Sequence, residues 1–244
     1  MRATNSFIFL FLCLKIPQVL VRGVSLTEKF KLNKKMTLIM ELKKELKGFD
    51  KLNVWDRGWR SKDWLNLTLG SDVAENEFKV VDGKPIFKFD IIDDFPPIED
   101  EKLQYMYASH VITHMTFEEA INFLKNCYRV MKKGGVIRVP IPDLELWAKA
   151  YLENNRKFLD RYYELALKGK DLRTRGEIFM SHVHGWNHKF AWDFETVKDI
   201  LERAGFTNVA VKKHRETKLP NIEDIESDKE VRLLETKYIE AEKL

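Results

Sequence analysis

Four side chains that could bind a metal or move a proton lie close together in the sequence: His182, His184, His188 and Asp193. Imidazole nitrogens and carboxylates are common zinc ligands, so the spacing H-x-H-x₃-H superficially suggests a metal site. Gly185 and Asn187 interrupt the stretch, however, and no continuous helix places His184 and His188 one turn apart. We therefore expect no metal here, and a metal-dependent hydrolase is the least favoured function.

Asp143 is a second candidate because it follows a predicted strand and the sequence Pro140-Ile-Pro142. A carboxylate at the end of a strand could act as a general base or bind an acceptor hydroxyl. An aspartate could equally cap the helix predicted from Leu144 onward, by accepting hydrogen bonds from its first backbone amides. The sequence leaves both interpretations open.

The elements that must position these residues alternate along the chain. Strands are predicted at 52–55, 64–69, 86–91, 103–108, 136–141, 208–212 and 231–240, the last two as an antiparallel pair. Helices are predicted at 36–47, 117–131 and 144–168, and from Asp193 to Gly205. The clearest helix has apolar residues at steps of three and four after a capping box of Thr116 and Glu119.

This alternation predicts a doubly wound α/β fold with a mostly parallel sheet that is covered on both faces. Ligands of such sheets bind outside the carboxyl ends of the strands. The residues that directly follow each strand are therefore the ones to examine for a binding or catalytic role.

Composition and charge restrict the class of protein. Of 244 residues, 44% are hydrophobic and 33% are charged, which is a globular balance. The formal net charge of +4 is concentrated in residues 1–50, and the remainder lacks the basic face of a nucleic-acid binder. Cys13 and Cys127 are too far apart to suggest a disulfide framework, which fits a cytoplasmic, reducing compartment.

The N-terminal segment carries an apolar run from Phe7 to Leu14. The run is shorter than the roughly 20 residues that a transmembrane helix needs. It has the length of a signal-peptide core, but no clean small-x-small cleavage site follows. We interpret residues 1–35 as an extension that is not part of the fold, and residues 36–244 as one domain without a transmembrane span.

Several stretches, in order, resemble small class I S-adenosylmethionine-dependent methyltransferases. The first is Tyr107-Ala-Ser-His110-Val-Ile-Thr-His114, followed by a helix that ends in Lys-Lys-Gly-Gly135 and by Val136-Ile-Arg-Val-Pro-Ile-Pro-Asp143. The resemblance continues in His184-Gly-Trp-Asn-His188-Lys-Phe-Ala-Trp-Asp193 and in Leu201-Glu-Arg-Ala-Gly-Phe206. It covers roughly residues 51–244.

The resemblance implies a sheet of six parallel strands and one reversed strand, with S-adenosylmethionine lying across the first four strand ends. It implies cofactor contacts at the ends of the first four strands: Trp55, Asp56, Gly58, Thr68, Asp90, Ile91, Ser109 and His110. It also implies a wall over the methyl acceptor formed by His184, Trp186 and His188. Either histidine could take a proton from an acceptor hydroxyl, because the imidazole pKa lies near neutrality.

The segment that should hold the cofactor departs from the family pattern. Trp55 and Arg57 stand where the family has glycines, and Thr68 stands where it has an acidic residue that accepts hydrogen bonds from the ribose. Those glycines allow the backbone to approach the cofactor closely. Two interpretations follow: either Asp56 and Gly58 rebuild a shifted loop, or Trp55 fills the adenosine space.

The sequence therefore predicts one of two functions. The first is a methyltransferase that acts on a hydroxyl of a small molecule or a glycan. The second is a catalytically inactive methyltransferase-fold protein with a binding or assembly role. Binding of S-adenosylmethionine distinguishes them.

Overall fold

The computed structural model describes residues 25–55, 61–68, 77–81, 83–92 and 95–244. The chain divides into two compact units, Met1–Thr37 and Leu38–Leu244, and the second contains the whole sheet. In the described ranges, no helix combines the length and the apolar character needed to cross a membrane. Asp56 and Gly58, two of the predicted cofactor contacts, lie outside the described residues.

Helices and strands are numbered in chain order. The α-helices are α1 (Leu26–Glu45), α2 (Phe117–Val130), α3 (Leu144–Leu152), α4 (Arg156–Tyr162), α5 (Arg175–His184), α6 (Phe194–Ala204) and α7 (Glu230–Glu235). The strands are β1 (Lys51–Trp55), β2 (Leu65–Thr68), β3 (Glu77–Val81), β4 (Lys84–Lys88), β5 (Leu103–Ser109), β6 (Met131–Arg138), β7 (Ile141–Pro142), β8 (Thr207–Lys212) and β9 (Thr236–Lys243). A π-helical turn, Tyr163–Leu167, follows α4.

The strands form one mixed sheet in the order β3-β4-β2-β1-β5-β6-β9, and β8 pairs with the other edge of β9. Strands β4, β2, β1, β5 and β6 are parallel neighbours. Strand β9 is antiparallel to both β6 and β8, so β8 runs in the parallel direction. The predicted doubly wound α/β fold, with six parallel strands and one reversed strand, is confirmed. Strand β3 adds a hairpin partner to β4.

The two faces of the sheet are covered by different kinds of structure. One face packs against α2, α6 and the part of α1 after Leu38 in the main hydrophobic core. On the other face, Leu219, Ile222 and Ile225 of the segment 213–229 pack with Trp64 and Tyr107. The connection from β1 to β2 spans only residues 56–64, shorter than the dozen or more that a helical crossover usually takes.

A buried ionic cluster attaches the segment 213–229 to the sheet. Arg138, fully buried on β6, donates to both carboxylate oxygens of Glu226, at 2.7 and 3.0 Å, and to Glu240 at 3.1 Å. Its remaining donors reach the carbonyl oxygens of Lys213 and Glu216 at 2.9 and 3.2 Å. Two carboxylates and two carbonyls therefore compensate one buried guanidinium.

The clearest local predictions are confirmed. Thr116 and Glu119 form the capping box of α2, and Asp193 caps α6 through the amide of Thr196. Gly205 ends α6 in the left-handed conformation, at φ 108°. These features depend on residues close in sequence, which is why a local pattern was sufficient to predict them.

Three boundaries were predicted wrongly. Helix α1 begins at Leu26 instead of residue 36, because Ser25 and Glu28 form a capping box ahead of it. The helix predicted at 144–168 breaks after α3, where Asn154 takes φ 50° and Asn155 caps α4.

The third error concerns residues 231–240, predicted as one strand. They begin as the helix α7 and become β9 only from Thr236, and an Arg232–Glu235 ion pair spans the helical part. Strand β3 was missed altogether.

Candidate functional site

A cleft of about 380 Å³ lies at the carboxyl ends of β1, β5 and β7, bordered there by Trp55, Ser109 and Pro142. Its other walls come from Tyr162 and the π-helical turn after it, from residues 186–188, and from the segment 225–235. Small-molecule sites usually enclose about 300–1,000 Å³, so the cleft suits a compact ligand. Its position at the strand ends is the usual one for doubly wound sheets.

His188 borders the cleft with its tautomer fixed. Its Nδ1 lies 2.8 Å from the carbonyl oxygen of His182, which can only accept, so Nδ1 carries the proton. The ring of His114, also at the cleft, packs edge-on at a centroid distance of 5.4 Å. The contact with His182 therefore fixes the orientation of the His188 ring at the cleft.

The loop that carries Trp186 is strained at the cleft. Trp186 and Asn187 take φ values of 61° and 62°, and two consecutive left-handed residues other than glycine are uncommon. Trp186 is 43% exposed, and the Lys170 ammonium lies 4.7 Å from its ring centroid. Backbone strain of this kind tends to occur at ligand sites.

A network of buried polar groups forms another wall of the cleft. His110 takes φ 54° directly after β5, and its backbone N–H donates to the carbonyl of Pro140 at 2.9 Å. Arg232 donates from Nη1 to Nδ1 of His110, at 2.6 Å, and to Oε1 of Glu235, at 3.0 Å. Because Nδ1 accepts, Nε2 of His110 carries the proton and donates to the hydroxyl of Thr236 at 3.1 Å.

The ionisation of this network follows from its burial. Burial, and then the charge of Arg232, hold the pKa of His110 well below its ordinary value, so the ring is neutral. Burial raises the pKa of Glu235, which is 3% exposed, although Arg232 and the Tyr162 hydroxyl act in the opposite direction. A buried carboxyl of raised pKa that lines a cleft is a candidate functional group.

The three histidines of the H-x-H-x₃-H stretch do not converge. His182 is buried and stacks on the ring of Trp147 at 4.5 Å, and burial lowers its pKa to about 3. His184 is the exposed last residue of α5 and does not line the cleft. Among the described residues, no group of three His, Cys, Asp or Glu side chains is arranged to hold a metal ion.

Asp143 lies outside this cleft and caps a helix. Its carboxylate accepts from the backbone N–H of Glu145 at 3.3 Å, and its second oxygen pairs with the ammonium of Lys237 at 2.9 Å. This is the capping role that the sequence left open. Burial raises the pKa of the carboxyl, and the Lys237 contact opposes that rise.

The predicted cofactor contacts separate into two groups. Trp55, Ser109 and His110 line the cleft, whereas Thr68, Asp90 and Ile91 do not. Ile91 is buried in the main core, and the exposed Asp90 accepts from the backbone N–H of Ile92 at 3.1 Å. The described residues that were expected to contact the ribose and the adenine of the cofactor therefore do not line this cleft.

Trp55 tests directly whether S-adenosylmethionine fits in the implied position. Trp55 and Thr68 are register partners on β1 and β2, so their side chains share a face of the sheet. The indole packs against Ile86 of β4, beyond β2 in the strand order, and must therefore cross the sheet over β2. Trp55 is 3% exposed and Thr68 is 1% exposed. The described residues at the ends of β1 and β2 therefore leave the side chain of Thr68 buried beside this indole.

Sequence reasoning missed Tyr162, Arg232 and Glu235. They occur on α4 and α7, far apart in the chain, and none follows a parallel strand. The i, i+3 spacing of Arg232 and Glu235 could have suggested an ion pair on a helix. Nothing local indicates that this pair borders a cleft.

Comparisons with known proteins give structural likenesses only. No protein-family model matches the chain, and no curated protein matches it. A methyltransferase from Archaeoglobus fulgidus, dependent on S-adenosylmethionine, is 17% identical and has a TM-score of 0.45, over 90% of this chain and 100% of that one. One from Thermotoga maritima, described as a possible histamine N-methyltransferase, is 16% identical with a TM-score of 0.41, over 89% and 95%.

PigF, solved with S-adenosylhomocysteine, is 17% identical with a TM-score of 0.37. The match covers 65% of this chain but only 35% of PigF. Each of these three structures is an S-adenosylmethionine-dependent methyltransferase or holds the demethylated cofactor. At these TM-scores the likenesses carry no argument, and the fold rests on the strand order and directions described above.

Proposed function

We propose that this chain is a methyltransferase-fold protein that binds a compact polar ligand in its cleft and does not catalyse methyl transfer. The observation that carries the proposal is the indole of Trp55, which lies across β2 above the position where the family holds the ribose. An absent bidentate contact costs a few kcal/mol and could be offset elsewhere. A bulky buried ring inside the volume that the cofactor needs excludes the cofactor sterically. No favourable contact elsewhere compensates for that overlap while the ring stays there.

The binding role is supported by the cleft at the carboxyl ends of β5 and β7. The cleft joins residues from β5, α4, the loop at 186–188 and α7, and its polar groups are already held in place by one another. A site whose side chains are fixed before binding loses little entropy when a ligand arrives. Burying such polar groups is costly, so their arrangement around a cleft favours a role in binding.

Calorimetric titration with S-adenosylmethionine and S-adenosylhomocysteine tests the proposal. We expect no saturable binding of either at millimolar concentration. A micromolar dissociation constant for the unaltered chain would overturn the proposal and restore the enzyme.

A double variant, Trp55→Ala with Thr68→Asp, sharpens the test by removing the ring and restoring an acidic ribose partner. We expect this variant to gain measurable affinity for S-adenosylhomocysteine. Thr68→Asp alone is the matched control, because it supplies the carboxylate while the indole stays, and it is expected not to bind. Circular dichroism establishes that both variants are folded.

The second candidate is methyl transfer to a hydroxyl of a small molecule or glycan, which the resemblance implies. The observation that favours it is His188, which lines the cleft and whose ring is oriented by the contact of Nδ1 with the carbonyl oxygen of His182. An imidazole at that position is a candidate general base for an acceptor hydroxyl. The same titration decides between the two candidates, since an enzyme must bind its methyl donor.

A further inference from the structure

The guanidinium of Arg232 is held on one side only. Both hydrogens of Nη1 are used, one by Nδ1 of His110 and one by Oε1 of Glu235. Within the part of the chain that the structure describes, Nη2 and Nε of Arg232 have no hydrogen-bond partner. Both of its partners are buried, at 5% and 3% exposure, whereas the Arg232 side chain is 36% exposed and lines the cleft.

The edge that remains carries two parallel N–H donors. Nε and Nη2 point in the same direction in the plane of a guanidinium, and this pair matches the two oxygens of a carboxylate or a phosphate. An arginine whose other edge is already fixed loses little conformational entropy on binding such a group.

Lys229 adds a second cation to the same wall. It is exposed, lines the cleft, and takes part in no ion pair with any described residue. Ser227 lines the cleft as well, and its hydroxyl oxygen accepts from the backbone N–H of Lys229 at 3.1 Å. With Glu235 already paired to Arg232 and His110 neutral, this wall has an excess of positive charge.

We infer that Arg232 and Lys229 form a subsite for an anionic group, a carboxylate or a phosphate, on the small molecule that the cleft binds. The inference rests on the proposed function in that it assigns a ligand to the same cleft. Trp186 also lines the cleft, and its half-exposed ring gives an apolar face to the body of that ligand. An acidic sugar or a sugar phosphate has both of these features.

Binding of matched charged and neutral sugars tests the subsite. D-glucuronate, D-glucose 6-phosphate and D-glucose are titrated into the full chain and followed by NMR chemical shifts. We expect both anionic sugars to bind at least about tenfold more tightly than glucose, because charge-assisted hydrogen bonds are among the stronger ones. Equal affinities, including no binding of any of the three, would overturn the inference.

Two variants locate the effect. Lys229→Gln changes an exposed residue and should reduce the preference for the anionic sugars severalfold, whereas Lys157→Gln, an exposed lysine of α4 that does not line the cleft, should not. Arg232→Lys keeps the positive charge but removes the two parallel N–H donors of the guanidinium. It should abolish most of the preference for the anionic sugars over glucose. An unchanged preference in both cleft variants would place the anion elsewhere.

The carboxylate that Arg232 binds could belong to an anionic sugar or to the amino-acid end of the cofactor. S-adenosylhomocysteine is the probe that distinguishes these two sources. If it binds and its affinity falls in Arg232→Lys, the subsite holds the amino-acid end of the cofactor, and the assignment to the acceptor-like ligand is wrong. If the anionic sugars bind through Arg232 while the unaltered chain also binds S-adenosylmethionine, the subsite stands and only the non-catalytic proposal fails.

Discussion

The strand-end edge of this sheet has a closed half and an open half. In the closed half, at the ends of β1, β2 and β4, Trp55 lies over Thr68 and reaches Ile86, and all three of these described residues are buried. In the open half, at the ends of β5 and β7, a cleft of about 380 Å³ remains. Both halves belong to one continuous sheet with the parallel order expected of the fold.

The difference shows that a sheet can keep its strand order while the ends of neighbouring strands differ in how far side chains cover them. Strand order is set by buried apolar residues on alternating positions, and those are present in both halves. Access to a strand end depends on one or two side chains at that end. A single indole can therefore cover a strand end without any change in the architecture.

The largest effect on stability is expected at the buried ionic cluster around Arg138, which attaches the segment 213–229 to one face of the sheet. Replacing Arg138 by methionine leaves Glu226 and Glu240 buried without their cation. We expect a loss of about 3–5 kcal/mol in the free energy of unfolding, measured by urea denaturation. The exposed pair Arg156–Asp160 is the control, since Arg156→Gln should cost less than about 1 kcal/mol. Equal losses in the two variants would show that the cluster does not hold the segment.

The next effect concerns His182, next to the open half. The folded chain keeps this histidine neutral down to a pKa of about 3, whereas the unfolded chain protonates it near 6.5. The unfolded state therefore binds more protons between these values, and stability falls as the pH falls. We expect His182 to contribute a loss of about 2 kcal/mol between pH 6.5 and 5, at roughly 1.4 kcal/mol per pH unit, and His110 to add a loss of the same sign.

His182→Phe should lack the His182 contribution, because the phenyl ring can stack on Trp147 without titrating. His184→Gln, at the exposed end of the same helix, should keep the pH dependence of the unaltered chain. The test is the urea midpoint of each chain at pH 7 and at pH 5. An equal change in the midpoint for the unaltered chain and for His182→Phe would contradict the assignment of the pH dependence to His182.

Much of the sheet and part of the open half could be predicted from the sequence. Helix α2 is identifiable because its apolar spacing and its capping box lie within a few residues of each other. His110, Trp186 and His188 were predicted because they follow a strand or belong to the stretch that resembles the family. The structure places all three on the cleft.

The closed half and the opposite wall could not be predicted in the same way. Whether Trp55 points into the core or across β2 depends on its contact with Ile86, which comes from a strand two positions away. The pairing of His110 with Arg232 joins residues far apart in the chain. Such contacts form only when the sheet brings distant segments together. No local spacing of residues in the sequence predicts them.

A third expectation has the opposite sign to that of His182. Burial raises the pKa of Glu235 above 4.5, so above that pH the folded chain holds a proton that the unfolded chain has released. The contribution of Glu235 to stability therefore falls as the pH rises through the interval up to the folded pKa, at no more than about 1.4 kcal/mol per pH unit. Glu235→Gln should lack this contribution, so its stability should rise more steeply with pH over this interval than that of the unaltered chain, because the histidine contribution remains. An identical slope in the variant would show that another group titrates.

The smallest effect separates capping from ligand binding at Asp143. Asp143→Ala removes a helix cap and the partner of Lys237, and should cost about 1 kcal/mol in the free energy of unfolding. Asp143→Asn should recover much of that loss, because asparagine caps as well as aspartate. Neither variant should change the affinity of the cleft for an anionic sugar, because Asp143 does not line it. A large fall in that affinity, with the stability unchanged, would instead make Asp143 part of the open half and extend the ligand site to the end of β7.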